Sequence, residues 1–175
     1  QISKTNRIID RGLGIRIASD KAIGFAYTNI VDDNKAIENV AMRAVNAAKA
    51  SKPDSDWHGL PQKRPYSSTE GTFDKKIVEL RSEDLVDIAS TMLDSASEID
   101  KRVFPIEGGV GSGYVANAIT NSNGISTFDS GTIVECSLAA LAKEGGSFTP
   151  VCFEFNAARN YSLDPQWVGK EAAKL

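Results

Sequence analysis

The hydrophobic pattern of this chain has a period of two residues, then about 3.6, then two again, and closes at 3.6. That order limits the folds open to it. Leu13, Ile15 and Ile17 alternate with Gly14, Arg16 and Ala18, and Ile23, Phe25 and Tyr27 alternate with Gly24, Ala26 and Thr28. Ser19-Asp20-Lys21 separates the two runs. Alternation on both sides of a short polar break predicts a β-hairpin with one buried face. Val31-Asp32-Asp33-Asn34 then offers capping side chains, and Ile37, Val40, Ala41, Ala44, Val45 and Ala48 recur at helical spacing. The stripe is narrow and Ala-rich, so this helix, over positions 33–52, can lie close against a sheet. Pro53 stops it.

A second helix is expected over positions 82–101, with Ser82 as N-cap and Glu83 and Asp84 at the positive end of its dipole. Its stripe is Leu85, Ile88, Ala89, Met92, Leu93, Ala96 and Ile99. Val103 to Pro105 reads as the exit from that helix. Gly113 to Thr120 alternates, Asn123-Gly124 is a turn signal, and Ile125 to Asp129 resumes as strand. Thr132 to Ala142 mixes β-branched residues with helix formers; its hairpin-like neighbours favour strand. Phe148 to Phe155 reads as one further strand, with Pro150 at an edge or bulge. The sum is an α+β fold of mostly antiparallel or mixed sheets packed with two long helices. A weak internal duplication of a sheet-then-helix unit fits the same pattern.

Between the two helices, Pro53 to Asp74 holds three prolines and no periodicity, and a linker is expected across 53–76. Trp57 and Leu60 are the residues expected to pin it. At the end of the chain Asp164 is a good N-cap and Pro165 suits the first helical position, while Val168, Ala172 and Leu175 form one stripe. No capping residue follows. At the start, Ile2 to Ile9 reads as the middle of a strand. Both ends lead to the expectation that residues 1–175 are a fragment of a longer protein.

A net charge of −3 argues against a nucleic-acid surface; the short basic cluster Gln62-Lys63-Arg64 reads as a solvated loop. No stretch approaches the roughly 18 apolar residues of a membrane span. Cys136 and Cys152 follow no metal or redox spacing, so a reducing, cytoplasmic compartment is expected. His58, the single histidine, sits in an irregular loop without a partner motif, and no H-E-x-x-H occurs. Asp129, Glu135 and Glu154 are strand carboxylates whose solvated reading is sufficient. Phe148, Phe153 and Phe155 read as core. The run Gly108-Gly109-Val110-Gly111-Ser112-Gly113 lacks the Lys-Ser/Thr of a P-loop. It reads as a flexible connection, or as a strand start that approaches other backbone closely. A small-molecule or phosphate-binding α+β module using that loop is the alternative function.

Several segments together carry a resemblance. They are R-G-L-G-I-R-I at Arg11 to Ile17, G-F-A-Y-T-N at Gly24 to Asn29, and the Ala-rich helix from Ala36 to Lys49. W-H-G-L-P at Trp57 to Pro61, N-S-N-G at Asn121 to Gly124, and S-L-D-P-Q-W-V-G-K-E-A-A at Ser162 to Ala173 follow. In this order they resemble the N-terminal domain of the TldD/PmbA (TldD/TldE) family, and the G-L-P element and tail are closer to the PmbA (TldE) branch. The resemblance implies a cytoplasmic metallopeptidase system in which two related subunits, as a homo- or heterodimer, enclose a cavity that takes peptides or unfolded polypeptide. It places the zinc ligands in an H-E-x-x-x-H segment downstream of this region, on the TldD-type subunit. No catalytic, cofactor-binding or metal residue is therefore assigned here. The expected role is non-catalytic: cavity wall, dimerisation and substrate guidance. The family's older label, modulator of DNA gyrase, finds no support in an acidic chain without a basic patch.

Overall fold

In a computed structural model, residues 4–66 and 69–174 are described. They divide into two units, of which the smaller is formed by residues 6–63 and 121–125. It opens with β1 (Leu13–Ser19) and β2 (Ala22–Thr28), antiparallel from Leu13↔Thr28 to Ser19↔Ala22. Asp20 and Lys21 form the turn at φ of 50° and 66°. Both central residues of a two-residue turn need positive φ to match the strand twist. Residues 4–12 form no strand, and Ile8 and Ile9 are exposed, so the expected N-terminal strand is absent from the described part of that segment.

The hairpin buries its small face. Ala22 and Ala26 are buried, whereas Phe25 and Tyr27 are exposed. The reason is the closeness of α1 (Asn34–Ala50): a Cβ on Gly24 would collide with the Ala44 carbonyl and the Ala48 amide of that helix. Val40, Ala44 and Ala48 are the buried residues of α1; Val40 and Ala44 form a cluster with Ala26, and Ile15 and Ile17 pack on it. The Asp33 carboxylate accepts the Lys35 amide at 2.9 Å to start the helix. At its end the Ser51 hydroxyl donates to the Ala47 carbonyl at 2.8 Å.

The connection after α1 is irregular but held. The Lys21 carbonyl accepts from the Asp54 amide at 3.0 Å. The side-chain amides of Asn121 and Asn123 donate to the Pro61 and Leu60 carbonyls, each at 2.9 Å. Trp57 and Leu60 are half-buried, so these hydrogen bonds share the pinning with them. Gly124, at φ 82°, closes the Asn121–Ile125 turn, in which the Asn121 side-chain oxygen accepts the Asn123 and Ile125 amides.

The larger unit begins its helices with α2 (Lys75–Val78), a short turn that starts within the last two residues of the segment expected to be linker up to 76. The Asp74 carboxylate caps it through the Lys76 amide, and Ile77 is buried. Next is α3 (Ser82–Ile99). Ser82 is its first helical residue rather than its N-cap: Arg81 holds the cap position, and its amide donates to Asp84 at 2.8 Å. Residues expected to leave the helix instead open β3 (Val103–Thr120), with Pro105 beside a bulge. β3 pairs along its length with β4 (Ser126–Glu144). On the other side of β4 lie β5 (Ser147–Phe148) and β6 (Cys152–Ala158), split at Thr149–Val151 where one strand was expected. Pro150 has no N–H to give to a ladder, and beside it the Thr149 hydroxyl accepts the Ala142 amide at 2.9 Å. Every strand pair is antiparallel, and the fold is α+β.

Helices cover one face of this sheet. Thr132, Val134, Cys136, Leu138 and Ala140 of β4 are buried. Ile88, Met92 and Ala96 of α3 pack there with Val168 and Ala172 of α4 (Pro165–Ala172). Asp164 caps α4, its carboxylate accepting the Trp167 amide at 2.9 Å, and Pro165 begins the helix. Gly169 lets the two helices touch, since a Cβ there would collide with the Met92 carbonyl. Leu175, placed on the same stripe from sequence, lies outside the described residues.

Candidate functional site

The candidate site is the other face of that sheet, which among the described residues no element of the larger unit covers. Pairing in β4 sends odd-numbered residues to it: Ile133, Glu135, Ser137, Ala139 and Leu141 alternate with the buried ones. Directly opposed residues of an antiparallel pair share a face. The register Gly109↔Ser137, Gly111↔Glu135 and Gly113↔Ile133 therefore sets a track of glycines beside them. On the other flank, Ala139↔Phe153 and Ser137↔Phe155 put two phenylalanines on the same face. Their rings stack at 6.2 Å between centroids and 27° between planes, and they are 62% and 59% exposed. A phenylalanine so exposed leaves apolar area in water that an occupant could remove. The core reading of Phe148, Phe153 and Phe155 is thereby corrected: their register places them opposite the covered face.

The glycine run is likewise a strand and not a loop. Its backbone is committed to β3, no helix N-terminus stands behind it, and the phosphate-cradle alternative has no geometry to support it. The close-approach reading holds, because a Cβ on Gly108 would lie 2.7 Å from the Ser137 carbonyl oxygen. A Cβ on Gly109 would meet nothing within 4 Å, and one on Gly111 would touch the Glu135 carboxylate at 3.4 Å. Side chains missing from one strand and large on the other leave a groove of about 530 Å³, floored by Gly109 and Gly111 and walled by Phe153 and Phe155. Glu135 is the charged residue among its lining, and Ser137 adds a hydroxyl.

The carboxylates do not converge. Glu135 and Asp129 share the open face but lie six residues apart on one strand, about 20 Å at the usual rise. Glu154, paired with Leu138, is on the covered side and accepts its neighbour Phe155's amide at 3.0 Å. His58 is exposed in the smaller unit. The two thiols are free. The register sets Cys152 opposite Ala140, four residues from Cys136, about 13 Å along the strand and beyond disulfide reach. Burial pushes the Cys136 thiol up to about 11, which keeps it protonated. Among the described residues no three His, Cys, Asp or Glu side chains come together as a metal site, and no helix is long and apolar enough to cross a membrane.

Comparison with known proteins bears on this architecture. The description "PmbA/TldA metallopeptidase domain 1" matches residues 1–48, and "PmbA/TldA metallopeptidase central domain" matches residues 75–175. An uncharacterized protein of Methanocaldococcus jannaschii, MJ0231, is 30% identical over 133 residues, covering 76% of this chain and 29% of that protein. The crystal structure of TldE from Thermococcus kodakarensis superposes with a TM-score of 0.84 at 25% identity, over 91% of this chain and 36% of that one. A protein from Thermotoga maritima, described as a candidate modulator of a DNA gyrase, shares the fold at a TM-score of 0.79 and 19% identity. It is covered over 93% of this chain and 36% of its own. The chain thus spans about a third of the length of these relatives.

Proposed function

The chain belongs to the PmbA/TldA metallopeptidase family, also written TldD/PmbA, and on that premise we propose that it is a non-catalytic N-terminal portion of a peptidase system. Its work is to form part of a cavity wall, support pairing with a second TldD/PmbA-type subunit and guide unfolded polypeptide. The observation that carries this reading is the open sheet face, with a glycine floor and exposed aromatic walls, in a chain of this family. An extended peptide can lie on such a surface because the floor has no side chains to displace. The likeness to TldE at 25% identity favours the PmbA (TldE) branch. A cytoplasmic setting, a longer parent protein and a homo- or heterodimer belong to the same proposal.

Zinc, which the family's peptidase activity implies, does not fit the residues described here. Among the described residues His58, which is exposed, belongs to no group of three potential ligands, and Cys136 is a buried, protonated thiol. No step of peptide hydrolysis is assigned to this chain. A full-length protein carrying this sequence, purified with a TldD-type subunit, should cleave an unstructured peptide only when that subunit is present. Stoichiometric zinc bound by residues 1–175 alone would overturn the proposal.

A further inference from the structure

We propose that the open groove seats an extended polypeptide segment bearing a basic residue, whose cation sits between the Glu135 carboxylate and the Phe153–Phe155 pair while its backbone crosses Gly109 and Gly111. The inference rests on the peptide-guiding reading above and names the class of residue that this face selects.

Three observations converge on a cation. Glu135 stands exposed on the central strand, and among the described residues no ion pair includes it. The stacked rings one strand away present π-faces, which attract ammonium and guanidinium groups. The same face already shows that chemistry satisfied from within: Lys143 lies 5.4 Å from the centroid of the Phe148 ring. Phe153 and Phe155 have no such partner among the described residues, yet they flank a carboxylate. Arg159, just past the end of β6, is turned toward Gly131, its Nη1 3.1 Å from where a Cβ of that glycine would stand, and among the described residues it forms no ion pair with Glu135. An aromatic pair with an unpaired carboxylate is thus complementary to a Lys or Arg side chain. The glycine track fits the backbone that carries it, since Gly109 leaves open space where a Cβ would stand.

The test is fluorescence polarisation with short fluorescein-labelled Gly-Ser peptides that differ only at the centre: Leu-Arg-Leu, Leu-Gln-Leu or Leu-Glu-Leu. The arginine peptide should bind the chain about tenfold more tightly than the glutamate peptide, with a preference that falls as salt rises. E135Q should erase the preference and E135K should reverse it. Glu135 is exposed, so melting curves of both variants should match wild type and show that folding is kept. Equal binding of all three peptides, no binding of any, or an E135K variant that still prefers arginine would overturn the inference. So would sedimentation showing that a second copy of the chain occupies the face, with a dimer that F153S/F155S dissociates. Failure here with hydrolysis by the two-subunit complex intact removes only this inference. Absence of hydrolysis by the complex removes the reading beneath it.

Discussion

Two glycines hold helices at backbone distance, one in each unit. Gly24 faces the Ala44 carbonyl of α1, and Gly169 faces the Met92 carbonyl of α3. Neither has positive φ, so the constraint is space and not conformation. A methyl group at either place has to push two elements apart, and overpacking of that kind costs about 1–3 kcal/mol. Gly24→Ala and Gly169→Ala should each lower the urea midpoint accordingly, while Gly109→Ala, with open space around it, should leave it nearly unchanged.

At the scale of elements, legibility followed how local the decisive contact is. Asp33 and Asp164 cap their helices through amides two and three residues on; Asp164 was readable from sequence as the cap, and Asp33 as one residue of the run Val31-Asp32-Asp33-Asn34. Asp164→Ala should cost about 1 kcal/mol, read as a lower melting temperature. Ser82 misled because Asp84 reaches back to the Arg81 amide, and an Arg at the cap position has no sequence signature. β3 was half hidden. Its Pro105 and glycines look like loop, yet an edge strand tolerates Pro beside a bulge. The division of Phe148 to Phe155 turned on Pro150. The aromatic wall of the site was the least legible part: which face Phe153 and Phe155 occupy is fixed by pairing with Ser137 and Ala139, a long-range register that no local pattern states. Glu135 was visible as a strand carboxylate, but its companions were not.

At the scale of the whole molecule, acid sensitivity follows from three aspartates held below the usual carboxylate range. The Tyr161 amide does this for Asp74, the Arg81 amide for Asp84, and the Arg102 guanidinium brings Asp100 to about 2. Their folded pKa values are depressed, so their stabilisation is fully present above the unfolded value of about 3.9 and is lost as pH falls through the folded values. Urea midpoints should therefore hold above about pH 4 and decline toward pH 2, with a shallower decline in D100N. A midpoint that rises on acidification would contradict this assignment.

The proposed division of labour is that this chain receives polypeptide and leaves the cutting to other residues. Purified residues 1–175, supplied with zinc and an internally quenched unstructured peptide, put that to the test. The expected result is fluorescence release no faster than in buffer. Sustained release that a chelator abolishes would contradict it.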